Sequence, residues 1–259
     1  MTGLQKCNWR GWSAFALALL FWEIAARANT ALELYFPPVS QILAAIWQLI
    51  GSAPIYFHAA TTLRRFFLGY LAAAFLAVSL GALLGYFRLL HSYLETVIEF
   101  LRPMPSVAII PVAILALGIG DGMIIAVTIY ASLWPILINT IDGVRHIETT
   151  LIDTARTFGL SRREILWRVI LPAASPYIVT GLRIGLSIAL ILVTTAEMIA
   201  GSKGLGFFIL DEERSMNSRN MYAGVIIVSL LGYLLNRLFL ALEGRALGWR
   251  HGLGGREAL

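Results

Sequence analysis

Long apolar runs constrain the fold of this chain more than any other feature. The hydrocarbon core of a bilayer is about 30 Å thick, and a helix needs about 20 apolar residues to cross it. Such runs recur along the 259 residues, of which 58% are hydrophobic and 14% are charged, whereas about a quarter of a soluble domain is charged. We therefore predict an all-α, polytopic membrane protein. Its six transmembrane helices are predicted at 10–28, 66–87, 98–118, 122–143, 174–200 and 221–243.

The segment between the first two spans is predicted to contain a helix of its own. Pro37 and Pro38 end the preceding element, and Ser40 is a residue type that caps helices. The apolar residues that follow recur at helical spacing, which is typical of a helix lying on a membrane, and we place it at the outer surface. These residues are Ile42, Leu43, Ile46, Leu49 and Ile50.

The distribution of lysine and arginine predicts the orientation in the membrane. Six spans place both termini on one side, and that side carries more basic residues, so the positive-inside rule makes it cytoplasmic. The inner residues would be Lys6, Arg10, Arg88, Arg145, Arg156, Arg162, Arg163, Arg168, Arg245, Arg250 and Arg256. The outer ones would be Arg27, Arg64, Arg65, Lys203, Arg214 and Arg219. Arg64 and Arg65 oppose the rule, and we expect them to reach the outer lipid headgroups.

Small residues and prolines distinguish individual spans. The second span is rich in glycine and alanine, and Gly81 and Gly85 have GxxxG spacing, so we predict that it packs against other helices. Pro103 and Pro105 interrupt the third region, and broken backbone at membrane depth must face protein or water. We predict a kinked helix that lines a pore; the alternative is a helix that simply begins at these prolines. Pro135 predicts a kink in the fourth span.

A polar, basic insert at 150–172 separates the fourth and fifth spans. Thr150 with Asp153 fits a capping box, and Gly159 suits the left-handed position after a helix. Ser161 with Glu164 fits a second capping box, and the helix that it opens is predicted to end at Pro172. The first helix has Leu151, Ala155 and Phe158 on one face. Two short helices with one apolar side are typical of a docking element; an ordinary amphipathic hairpin at the membrane surface is the alternative.

The insert resembles the cytoplasmic coupling signature of ABC-importer permeases. That signature reads Glu-Ala-Ala, three residues, Gly, nine residues, then Ile-x-Leu-Pro. Here Asp153-Thr154-Ala155, Gly159 and Val169-x-Leu171-Pro172 keep the whole spacing, with Asp for Glu, Thr for the first Ala and Val for Ile. Other segments are similar to the nitrate, sulfonate and taurine group of the type I (MetI-like) permeases. They are Thr62-Leu63-Arg64, Arg102-Pro103-x-Pro105, Trp134-Pro135-Ile136, Asn139-Thr140, and Glu197 with Gly204-Leu205-Gly206.

The resemblance implies an importer subunit of the bacterial inner membrane. A second copy of the chain, a cytoplasmic ATPase dimer that carries ATP and magnesium, and an extracytoplasmic solute-binding protein would be its partners. The solute would be a small anion or a related heterocycle. We divide the chain into a first span with its surface helix (1–57), a transmembrane core (58–243) with a coupling loop (145–172), and a basic cytoplasmic tail (244–259). The ATPase-coupling residues implied are Asp153, Thr154, Ala155, Phe158, Gly159, Leu160, Leu171 and Pro172.

Charged residues within the spans are costly and are therefore functional candidates. Arg183 and Glu197 lie on the fifth span about 21 Å apart at the helical rise, so they do not pair with each other. Each either faces an aqueous path or gate, or is satisfied by a neighbouring helix, as buried charges often are. The candidate pathway or gate residues are Arg183, Glu197, Trp134, Asn139, Thr195 and Met104.

Several classes of protein are disfavoured by the motifs. The sequence lacks the phosphate-binding G-x-x-x-x-G-K-[ST] and the hydrolase motifs G-x-S-x-G and H-E-x-x-H, so we expect no bound cofactor and no catalysis. Its four histidines lack the spacing of metal ligands, and Cys7, the single cysteine, excludes an internal disulfide. The net charge of +5 is attributed to cytoplasmic loops rather than to nucleic-acid binding.

Two other classes remain as alternatives. A secondary transporter would work without an ATPase, but it typically shows inverted repeats with interrupted helices at matching places, and no such repeat is evident. A membrane-embedded enzyme or assembly factor would need a polar cluster deep within the spans.

Overall fold

The computed structural model describes residues 9–28 and 34–246, with the backbone alone for Arg10 and Ala246, and these ranges are helical without strands. The α-helices are α1 (Trp9–Ala28), α2 (Val39–Ile50), α3 (Ala53–Tyr86), α4 (Arg88–Leu101), α5 (Ile110–Leu117), α6 (Asp121–Arg145), α7 (Thr149–Thr157), α8 (Arg162–Ile165), α9 (Leu171–Ala200), α10 (Leu205–Arg214) and α11 (Ser218–Ala246). A 3₁₀ turn, Ser106–Ile109, precedes α5, and a π-helical turn, Leu166–Ile170, joins α8 to α9. Our predictions for Cys7 and for the tail beyond residue 246 lie outside the described residues.

The long helices confirm an all-α polytopic fold. In the described ranges α3, α6, α9 and α11 are long and apolar enough to cross a membrane, and one bent helix pair is a fifth candidate. The first predicted span forms the 20-residue helix α1, which is not among these candidates. The second begins earlier than predicted, because α3 extends over 34 residues from Ala53.

The third predicted span is not one kinked helix. Arg88–Leu101 and Ser106–Leu117 are separate helices that meet at 88°. Pro103 and Pro105 lie in the break; proline cannot donate a backbone hydrogen bond and disfavours the helical conformation of the residue before it. The prediction of a continuous, kinked helix at 98–118 is therefore wrong, and the second helix begins after the prolines.

Close contacts between small residues fix the core bundle. Gly69, Gly81 and Gly85 of α3 lie so close to Thr128, Thr140 and Val144 of α6 that a β-carbon would come within 2.7, 2.7 and 2.6 Å of them. The constant offset in numbering shows that α3 and α6 run parallel, and it confirms the predicted helix contacts of the second span. Helix α9 runs antiparallel to α6, with Gly143 against Tyr177 and Gly181 against Asn139.

Helix α2 forms as predicted, but it begins at a different residue. Pro38 occupies its N-cap position without a side-chain cap, so the prediction that Ser40 caps it is wrong. Ser40 lies within the first turn, where its backbone N–H donates to Glu23 of α1 at 3.1 Å and its hydroxyl donates to the same carboxylate at 2.8 Å. A backbone N–H in the first turn of α2, which has no partner within its own helix, thus donates to Glu23 of α1. The other side of α2 packs Ile42 and Ala45 against Ala223 of α11.

Candidate functional site

Two clusters of hydrogen-bonded polar residues lie at opposite ends of the bundle. At one end, Arg65 of α3 lies between the carboxylates of Asp121, at the start of α6, and Glu197, near the end of α9. Its Nη2 is 2.5 Å from Asp121 Oδ1, and its Nη1 is 2.8 Å from Glu197 Oε1. The side chains of Arg65 and Glu197 are 2% and 0% exposed. We call Arg65, Asp121 and Glu197 the buried ion network.

Neutral donors complete the environment of Glu197. The hydroxyl of Thr62 donates to its Oε2 at 2.8 Å, and the backbone N–H of Gly206 donates to the same atom at 3.0 Å. Thr62 in turn accepts from the backbone N–H of Leu205 at 2.8 Å. A buried charge is tolerated when its remaining lone pairs are satisfied in this way.

The network also fixes the turn between α9 and α10. Arg65 Nη1 donates to the backbone oxygen of Lys203 at 2.7 Å, and the N–H of Gly204 donates to His58 Nδ1 at 3.1 Å. Gly204 has a φ of +114°, and a β-carbon there would lie 2.2 Å from the Glu197 carboxyl group. The turn therefore needs glycine both for its backbone conformation and for its approach to the carboxylate.

Arg64 and Arg65 were both expected to contact the outer lipid headgroups, and the structure places them differently. Arg65 is 1% exposed and joins α3, α6 and α9, so that expectation is wrong for it. Arg64 is exposed and contacts Asp121. Arg65 supplies the positive charge beside the fully buried Glu197 and also pairs with Asp121, whose side chain is 36% exposed.

We predict that Gly204→Ala lowers the free energy of unfolding by about 2–4 kcal/mol. The left-handed backbone and the collision with a fixed carboxylate each contribute a cost of this order. Equilibrium unfolding in denaturing detergent, followed by circular dichroism, measures the change.

The matched control for this variant is Gly244→Ala. Gly244 lies in α11, and a β-carbon there would meet no atom within 4 Å. Alanine favours a helix by about 1 kcal/mol over glycine, so we expect equal or higher stability. Equal destabilisation by both variants would contradict the proposed role of the turn.

The other end of the bundle carries the insert, which we call the coupling unit (149–172). Helix α7 ends at Thr157, and Gly159, the residue after its C-cap, has a φ of +75° as predicted. The N–H of Gly159 donates to Arg156 and that of Leu160 donates to Ala155, which is the hydrogen-bond pattern of a Schellman motif. Ser161 and Glu164 form the predicted capping box at the start of α8.

Two other local predictions for the coupling unit are wrong. Helix α7 is capped by Glu148 without a side-chain hydrogen bond, so Thr150 and Asp153 form no capping box; Asp153 instead pairs with Arg156 at 3.0 Å. The second helix does not end at Pro172, because the helix from Arg162 continues to Ala200. The π-helical turn before Leu171 accommodates the proline, whose ring would clash with an ordinary helical turn.

Apolar packing attaches the coupling unit to the spans. Ala155 of α7 is buried against Ile165, Ile170, Val144 of α6 and Ala174 of α9. The two remaining residues of the predicted apolar face are not covered by the rest of the chain, since Leu151 is 48% exposed and Phe158 is 78% exposed. The unit thus has a buried side that continues into α6 and α9 and an exposed side that carries an uncovered aromatic ring.

The structure distributes the other predicted coupling residues over both sides. Leu160 is partly buried in the cluster around Ala155. Thr154 is exposed, and its hydroxyl donates to the backbone of its own helix. Leu171 is half-buried and Pro172 is exposed at the start of α9.

The predicted pathway residues do not form one cluster. Glu197 belongs to the buried ion network, Arg183 is exposed in a groove between α9 and α11, and Met104 is exposed in the break before α5. Asn139 and Thr195 are half-buried and donate to the backbone of their own helices. Trp134 is half-buried, with its ring edge-on to Tyr130 at 5.6 Å.

Sequence reasoning missed the partners of Glu197. Arg65 and Thr62, whose side chains donate to Glu197, and Asp121, which pairs with Arg65, are all distant from Glu197 in the chain. The available signal was the Arg64–Arg65 pair, whose position contradicted the positive-inside rule. In the described residues, no group of three His, Cys, Asp or Glu side chains could hold a metal ion.

The bundle defines the class as a polytopic membrane protein, with a folded polar insert between two of its spans. The sequence matches the family described as "Binding-protein-dependent transport system inner membrane component" over residues 69–247. The chain therefore belongs to this family, the permease subunits of ABC importers. It contains no ATPase of its own, since the ATPase of these systems is a separate subunit.

Individual relatives agree with this assignment. A putative ABC transporter permease of Methanocaldococcus jannaschii is 36% identical, with 91% of this chain and 90% of the relative covered. The taurine transport system permease of Escherichia coli is 31% identical, with 92% of this chain and 88% of the relative covered. The nitrate import permease of Leptolyngbya laminosa is 33% identical, with 87% of this chain and 82% of the relative covered.

A solved structure shares the fold. An inward-facing methionine ABC transporter superposes with a TM-score of 0.65 at 20% identity, and the match covers 74% of this chain and 96% of the transporter chain. This similarity confirms the type I permease fold.

Proposed function

We propose that two copies of this chain form the membrane pathway of an importer for a small anion of the nitrate, sulfonate or taurine type. Relatives at 31–33% identity are named for taurine and nitrate, which supports this class of solute over the related heterocycles. A cytoplasmic ATPase dimer, which binds ATP and magnesium, would supply the energy. An extracytoplasmic binding protein would deliver the solute.

The observation that carries the proposal is the construction of the coupling unit. Its two helices are joined by a Schellman motif and a capping box, and its buried side packs on α6 and α9. A displacement of the unit is therefore transmitted to both spans as a rigid movement. Its exposed Phe158 and Leu151 are the surface that we assign to the ATPase.

The same assignment orients the chain. The coupling unit would lie in the cytoplasm and the buried ion network near the outer face. Arg64 pairs with Asp121, and Arg65 pairs with Asp121 and Glu197. These two arginines therefore remain exceptions to the positive-inside rule, but carboxylates of the same chain balance their charge on the outer side.

Co-purification tests this function. The chain is expressed with the ATP-binding subunit of its own transport system, and the complex is isolated through a tag on the permease. We expect two permeases and two ATPases by mass. A permease that moves solute in vesicles without any ATPase would instead support the secondary transporter.

A further inference from the structure

A polar groove of about 670 Å³ lies between α9 and α11. Thr180, Arg183 and Ser187 line it from α9, at spacings that place them on one helical face. The residues that line it from α11 are Gly232, Tyr233, Asn236 and Glu243. A surface with this many polar groups is costly against lipid, so the groove faces water or protein.

Two opposite charges in the groove lack a partner. Arg183 makes no hydrogen bond or ion pair with any residue that the structure describes. In the same ranges, Oε2 of Glu243 is buried and accepts no hydrogen bond. The two side chains line one groove, but they do not come within 4 Å of each other to form a salt bridge.

The register of the two helices gives the spacing of these charges along the groove. Gly232 of α11 lies against Leu190 of α9, and the two helices run in opposite directions. Counting residues from this contact places Glu243 about one helical turn, or about 6 Å along the axis, from Arg183. Small zwitterions with two carbons between their charged groups span a comparable length.

We propose that this groove binds a small zwitterion, whose anionic group contacts Arg183 and whose ammonium group contacts Glu243. Asn236, Ser187 and Tyr233 would supply neutral hydrogen bonds beside the anion. A solute with an anionic group alone would leave Glu243 unpaired and would be repelled by it, whereas a zwitterion pairs with both Arg183 and Glu243. The proposal rests on the proposed function, in which a second copy of the chain completes the pathway, and it narrows the class of solute.

Direct binding to the purified permease, in lipid nanodiscs with its ATPase, tests this site without the binding protein. The probes are taurine, ethanesulfonate, which lacks the ammonium group, and ethylammonium, which lacks the sulfonate. We expect taurine to bind at least about 10-fold more tightly than either single-charge probe. A 10-fold ratio corresponds to about 1.4 kcal/mol, which is the order expected for one additional charge pair in the groove.

Two variants separate the roles of the charges. Arg183→Gln is expected to weaken the binding of taurine at least about 30-fold. Glu243→Gln is expected to abolish the preference for taurine over ethanesulfonate while leaving ethanesulfonate binding equal or tighter. Arg214→Gln, which removes an exposed charge of α10 outside the groove, should change neither affinity.

Equal binding of taurine and ethanesulfonate by the unaltered chain would overturn the zwitterion assignment. Absence of saturable binding, or taurine affinity that neither variant changes, would overturn the groove as a site. Both results are compatible with intact binding-protein-stimulated ATP hydrolysis, so they are distinguishable from a failure of the proposed function, in which that stimulation is itself absent.

Discussion

Replacing Arg65 with methionine is expected to destabilise the permease by about 3–5 kcal/mol, the largest effect that we predict for a single substitution. Glu197 is 0% exposed, and without the guanidinium its charge would remain buried with hydroxyl and amide donors alone. Removing one partner of a buried ion pair has a cost of this order. The measurement is equilibrium unfolding in denaturing detergent.

The neighbouring arginine provides the matched control. Arg64 also contacts Asp121, but its side chain is 61% exposed, and exposed ion pairs contribute about 0–1 kcal/mol. We therefore expect Arg64→Gln to unfold almost as the unaltered chain does. The double variant Arg65→Met with Glu197→Gln should lose less stability than the sum of the two single variants, because the second change removes the orphaned charge. Additive losses would contradict the ion pair.

Replacing Phe158 with aspartate is expected to reduce binding-protein-stimulated ATP hydrolysis by the complex at least about 10-fold while the permease remains folded. The ring is 78% exposed, so its removal has little effect on the fold. A carboxylate would bring an unpaired charge into the apolar contact that we propose with the ATPase, which costs at least about 1–3 kcal/mol. The measurement is phosphate release with and without the loaded binding protein.

Phe158→Leu is the control for this prediction, since it keeps an apolar group at the contact. We expect it to retain most of the stimulation. Ala155→Arg is a poor test of docking, because Ala155 is buried and the larger side chain would disrupt the packing of the coupling unit. Unchanged stimulation in Phe158→Asp would show that the exposed side of the unit does not contact the ATPase.

The sequence was sufficient for the features that depend on local or periodic patterns. Apolar runs predicted the long helices, and the spacing of glycines in the second span predicted close contact between helices. Gly159 and the Ser161–Glu164 pair predicted the turn of the coupling unit, because these residues act on their own backbone. Such effects require no knowledge of the tertiary structure.

Features that depend on contacts between distant residues could not be predicted. Ser40 is a residue type that caps helices, but here its backbone N–H and its hydroxyl both donate to the carboxylate of Glu23 on α1. Arg65 was assigned to the headgroups because its partners, Asp121 and Glu197, follow it by more than fifty residues. The break after Leu101 was recognised from its prolines, but a proline pattern does not give the angle between the two helices.

Cysteine labelling tests the central claim most directly. The single cysteine, Cys7, is replaced by serine, Phe158 is replaced by cysteine, and a membrane-impermeant maleimide is applied to intact cells and to inverted membrane vesicles. We predict labelling in the inverted vesicles alone and protection when the ATPase subunit is bound. Labelling in intact cells, or labelling that the ATPase does not reduce, would contradict the assignment of the coupling unit as the cytoplasmic surface that receives the ATPase.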